Sequence, residues 1–124
     1  MRMTENKRAI LDALARADYE TCLEWGPPPR NAAAVAAMIG KPDHRPVART
    51  LRLMEQQGVV VAETRPVPVW CDIGRGGHYN KQLKCYWPAH DLEQAKAAAR
   101  EWAEGADERA QNAWQAMERL HGWR

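Results

Sequence analysis

Arg45, Arg49 and Arg52 are spaced four and three residues apart, so on a helix they share one face. Each carries a planar, permanently charged fork of N–H donors. Such a fork fits two acceptors at once, either O6 and N7 of a guanine or two oxygens of a phosphate. Ala48 stands between them, and its small side chain lets this face approach a partner closely. Val47, Leu51 and Met54 repeat at the same steps, rotated to another side of the same segment. A helix that buries this apolar stripe must show the arginines to solvent. The chemistry such a face offers is recognition of a polyanion, with Lys41, Asp43, His44 and Thr50 beside it as further candidate contacts.

The elements that would position this face read as two short helices with a tight connection. The first is Asn31 to Ile39, N-capped by Asn31 and ended by Gly40. The second runs from about Pro46 to Gln57 and ends at Gly58. Between them lies a polar turn, Lys41 to Arg45, with Asp43 as a candidate cap, and Pro46 falls in the first helical turn, where its missing N–H costs nothing. Upstream, Thr4 is a plausible N-cap for a helix carrying Ile10, Leu11, Leu14 and Ala17. That helix runs either unbroken to Trp25 or with a break near Asp18-Tyr19, and Gly26-Pro27-Pro28-Pro29 stops it.

Downstream, Val59 to Ala62 is β-branched and apolar and reads as a strand, while Pro66 and Pro68 confine its continuation to a sheet edge or an irregular arm. Gly74-Arg75-Gly76-Gly77 reads as a turn, and Tyr79 to Trp87 as the returning strand of a hairpin. Arg75 at its tip, with His78, Lys81 and Lys84 behind it, is placed for phosphate or minor-groove contacts. Asp91 with Gln94 resembles a capping box opening a long C-terminal helix. Along it Leu92, Ala95, Ala99, Trp102, Ala106, Ala113, Met117 and Leu120 keep helical spacing, with one gap after Ala106, as in a helix that seeks a partner helix.

The charge distribution agrees with this reading. Residues 1–40 hold five Lys/Arg and five Asp/Glu, residues 41–87 eight and four, and residues 88–124 five and seven, which sum to the net +2. The positive potential is concentrated on the arginine helix and the hairpin after it.

The order helix, helix, turn, helix, hairpin, long helix resembles the winged helix-turn-helix superfamily of DNA-binding proteins. The residues that carry the likeness are Ala32 to Gly40, then Val47, Leu51, Met54 and Gly58 before Val59-Val60-Val61. The resemblance implies a mainly α, α+β fold: a winged domain of three helices and a β-hairpin wing over residues 1–88, and a C-terminal helix over residues 89–124. It also implies that the third helix enters the major groove of double-stranded DNA and that the wing touches the backbone or minor groove. The C-terminal helix is similar in position to the dimerising helices of MarR-like and PadR-like repressors, which implies a homodimeric bacterial or phage regulator. An interaction module on the same fold, for instance a phage- or plasmid-borne protein that binds host machinery, is the alternative.

Catalysis is not expected. The chain has no serine, no Cys nucleophile with a neighbouring His, and no glycine-rich phosphate loop after a strand. Cys22, Cys71 and Cys85 are odd in number and widely spaced, and no Cys-x-x-Cys or His-Glu-x-x-His pattern occurs, so neither disulfides, metal nor cofactor is expected. With no apolar run of membrane-spanning length and no secretory start, the expected location is the cytoplasm. Six tryptophans beside no phenylalanine read mainly as packing residues; Tyr19, Trp25 and Trp102 would line a small-molecule effector pocket between the first and C-terminal helices.

Overall fold

A computed structural model describes residues 4–71 and 77–122. It is an α+β chain, mainly helical. The elements are α1 (Glu5–Ala15), α2 (Tyr19–Trp25), β1 (Arg30–Asn31), α3 (Ala32–Met38), α4 (Arg45–Gln56), β2 (Val60–Cys71), β3 (Gly77–Pro88), α5 (Leu92–Glu104) and α6 (Ala106–His121). The strands form an antiparallel sheet in the order β1-β3-β2.

The N-terminal segment is two helices, not one. Thr4 caps α1, its hydroxyl accepting the Lys7 N–H at 3.2 Å. The second cap is what ends the run: Asp18 accepts the Thr21 N–H at 3.1 Å and the Thr21 hydroxyl proton at 2.7 Å. Those bonds require extended backbone at Asp18, which a continuous helix would deny it. Ile10, Ala13 and Leu14 of α1 then join Val35 and Ala36 of α3, Val47, Leu51 and Met54 of α4, and Val60 and Tyr86 of the sheet in one core.

Gly40 and Gly58 end α3 and α4 by the same device. Each sits in left-handed backbone, at φ 74° and 76°, where a side chain would be strained. At Gly40 the glycine N–H reaches Ala37 O, and the next N–H, from Lys41, reaches Ala36 O at 2.8 Å. At Gly58 the matching bonds go to Glu55 O and, from Val59, to Met54 O at 2.9 Å. These paired bonds satisfy carbonyls that a helix end leaves bare, and they turn the chain directly into the next segment. Asn31 caps α3 as expected, accepting the Ala34 N–H at 2.9 Å. Asn31→Ala is expected to cost about 1 kcal/mol of stability, measured by urea unfolding. The connection between α3 and α4 spans residues 39–44, one residue earlier than the Gly40 to Arg45 connection expected and of the same length.

Strand β2 passes through Pro66 and Pro68 and continues to Cys71, which is possible because it lies at the sheet edge, where no outer strand needs their missing N–H groups. The short β1, which has no counterpart among the sequence expectations, pairs Arg30 with Tyr86 and Asn31 with Cys85. Strand alternation gives the hairpin two faces. Val60, Ala62 and Tyr86 meet the helical core, whereas Val61, Glu63 and Arg65, across from Trp87, Cys85 and Leu83, are on the side that α5 covers.

The single long C-terminal helix is not what forms. Gly105, at φ −86° and ψ 4°, interrupts the helical ladder and separates α5 from α6. Arg109 bridges the break, its guanidinium carbon 3.5 Å from the Trp102 ring centroid. Asp91 caps α5 without a side-chain hydrogen bond, so the expected capping box is not made. Of the residues expected to pair with a second helix, Ala95 is 5% exposed and is used within the chain's own core. Leu92, Ala99 and Trp102 are half-buried, while Ala106, Ala113, Met117 and Leu120 are exposed. Helix α6 buries none of its residues. Among the described residues no helix is long and apolar enough to cross a membrane.

Candidate nucleic-acid interface

The core fixes the orientation of α4. Val47, Leu51 and Met54 are at most 3% exposed, so rotation about the helix axis is settled and the opposite face must look outward. On that face Arg45, Arg49 and Arg52 are all exposed, with half-buried Ala48 flanking them next to Arg52.

The three arginines are not equivalent. Arg45 is committed to Asp43: its Nε lies 3.1 and 3.2 Å from the two carboxylate oxygens, and its Nη2 lies 3.1 Å from one of them. Asp43 also accepts the Arg45 N–H at 3.0 Å, but the N-cap of α4 is His44, with no side-chain cap hydrogen bond, so the cap expected at Asp43 is not the one formed. The Arg45 side-chain hydrogen bonds, followed by the backbone one, hold the Asp43 carboxyl below its ordinary value of 3.8. For such a depressed acid, the stabilising contribution is complete above the ordinary value and is lost only as pH falls through the lowered one. At neutral pH Arg45 is therefore paired. Arg49 and Arg52 make no ion pair among the described residues, although the charge of Arg49 also helps to lower the Asp43 pKa, and theirs are the charges the face presents.

The flanking residues divide similarly. The Thr50 hydroxyl donates to Pro46 O at 3.1 Å, so it meets a partner only as an acceptor. His44 and Lys41 are exposed at the start of α4 and just after α3. Lys84 is drawn onto the helix: its Nζ is 2.6 Å from the Glu55 carboxylate, a bond that raises its pKa and ties β3 to α4. Arg52, Lys84, Ala33, Ala48 and Tyr86 line a groove of about 280 Å³ between α3, α4 and β3. Tyr86 was not among the sequence candidates; its alternation with Lys84 on β3 was the available signal. Lys81, across from Val67, falls by alternation on the opposite face of the hairpin from Lys84. Arg75 and the Gly74–Gly76 part of the turn lie outside the described residues, as does the side chain of His78.

The expected aromatic pocket forms with a different lining. A cleft of about 510 Å³ between α2 and the α5–α6 junction includes Tyr19, Cys22, Trp102 and Arg109, and Trp25 is not part of it. The Tyr19 and Trp102 rings sit 5.6 Å apart at 58°, so they pack on each other. Cys22 is buried, and burial pushes its thiol pKa up, which suits a packing residue. No known family model, curated protein or solved structure matches this chain, so its own residues carry the reading of the arginine face.

Proposed function

We propose that this chain is a sequence-specific DNA-binding regulator of the winged-helix kind, working in the cytoplasm as a homodimer and most simply as a repressor. The observation that carries the reading is α4. It buries Val47, Leu51 and Met54 while holding Arg49 and Arg52 outward with no ion pair among the described residues, and half-buried Ala48 flanks them on the same helix. A helix of this kind fits the major groove, where the arginine fork reads guanine and the small residue lets the backbone come close. The hairpin that follows α4 serves as the wing. The exposed α6 face of Trp114, Met117 and Leu120 supplies the surface for a second copy.

The same α6 face supports the second reading, an interaction module for another protein, because a 16-residue helix that buries nothing invites cover of some kind. One experiment separates the two: binding to random-sequence duplex at two salt concentrations, with the mass in solution recorded alongside. Salt-sensitive binding by a dimer supports the regulator, whereas no binding at low salt overturns it.

The Asp43–Arg45 pair gives a graded test of the same face. Asp43→Asn keeps an acceptor for the Arg45 N–H, removes a negative charge and releases the guanidinium. Affinity for random duplex is expected to rise several-fold, and the salt slope to steepen by about one, by fluorescence anisotropy. An unchanged slope would place Arg45 off the DNA.

A further inference from the structure

We infer that the cleft between β2 and α5 is a binding site for a small amphipathic carboxylate, on the opposite face of the sheet from α4. The cleft is an open groove of about 520 Å³, within the volume range of small-molecule sites. Val61, Trp87, Ala99 and Ala103 supply its apolar lining. Val61 is 40% exposed, a large hydrophobic left partly uncovered in a lining whose α5 apolar residues are the small Ala99 and Ala103.

Three cations, Arg65, Lys96 and Arg100, stand in the same lining. None has an ion-pair partner among the described residues, although the carboxylate of Glu63 lines the cleft with them. Glu63 is engaged within the lining itself: it accepts the Trp87 indole N–H at 2.8 Å, which fixes it against the sheet. Three cations and one acid leave the lining at +2, so the apolar surface is edged by net positive charge. A ligand that satisfies both features has an apolar body and one carboxylate. The body would cover Val61 and the alanines, and the carboxylate would take charge-assisted bonds from Lys96 and Arg100. This inference does not depend on DNA binding, since the cleft and the arginine face of α4 lie on different sides of the sheet.

The probes are phenylacetate, its neutral counterpart phenylacetamide, and inorganic phosphate, each followed by the NMR shift of the Trp87 indole N–H. Phenylacetate is expected to bind at least about tenfold more tightly than either of the others. Lys96→Gln/Arg100→Gln should weaken it about tenfold or more while the fold is kept, since Arg100 is exposed and Lys96 half-buried. Ala99→Leu, which fills the cleft and leaves every cation in place, should weaken it as well. Equal binding of the amide would remove the role of the cations, and equal binding of phosphate would remove the apolar lining. No shift at about 10 mM phenylacetate, or an unchanged affinity in either variant, would overturn the site.

Discussion

Replacing Arg49 and Arg52 together with alanine is expected to abolish tight binding to duplex DNA while leaving the fold intact. Each arginine that neutralises a phosphate contributes about 0.9 to the slope of log affinity against log salt, so the double variant should lose about two. On a selected site each fork that reads a guanine is worth about 1–3 kcal/mol, so the combined loss is expected to reach two orders of magnitude or more. Stability should hardly move. Both side chains are exposed and make no ion pair among the described residues, and alanine is the best helix former, so the change in unfolding free energy is expected within about 0.5 kcal/mol. Arg49→Lys/Arg52→Lys separates charge from shape. Lysine keeps the salt slope on random duplex but lacks the planar fork, so sequence preference should fall while non-specific affinity stays. A double alanine variant that binds DNA as wild type does would remove α4 from the interface.

The parts of this face that could be read from the sequence are those set by neighbours along the chain. The apolar stripe of α4, the glycine ends of α3 and α4, and the Asn31 cap all follow from spacings of five residues or fewer, and the structure has each of them. What the sequence hid depends on partners far along the chain or on competition between local rules. Arg45 repeats on the arginine stripe like the other two, but a carboxylate two residues away claims it. The two-residue β1 carries no pattern of its own and exists because β3 offers it an edge. The apolar spacing of the C-terminal segment runs straight across Gly105. Whether a glycine in a helical run only weakens it or breaks it is decided by packing, here by α5 lying on the sheet while α6 buries nothing.

Arg30→Met is expected to be the most destabilising of these substitutions, although nothing around Arg30 in the sequence marks it. The residue is 2% exposed and makes no ion pair among the described residues. Backbone carbonyls hold it instead: Nη1 donates to Ala13 O at 2.8 Å and to Leu14 O at 3.5 Å, and Nη2 donates to Gly26 O at 2.8 Å. Ala13 and Leu14 lie in the last turn of α1, and Gly26 follows α2. One guanidinium thus closes the ends of two helices, where bare carbonyls concentrate negative potential. Methionine fills similar space but leaves those carbonyls buried and unpaired. Each bond to a charged donor is worth about 1.5–3 kcal/mol, and the relief of no longer burying a cation offsets part of the loss. The net cost is expected near 3 kcal/mol, or roughly ten degrees in Tm, with an unchanged urea m-value. Arg30→Lys should recover only part of it, because one ammonium on a flexible stem cannot span both helix ends with a fixed fork. A loss below about 1 kcal/mol would show that the helix ends do not depend on this side chain. Arg30 also pairs with Tyr86 through β1, one residue before the cap of α3, yet it is remote from the arginine face in charge terms. The folded fraction of Arg30→Met should therefore bind DNA with the wild-type salt slope, in contrast to Arg49→Ala/Arg52→Ala, in which the fold survives and the slope is lost.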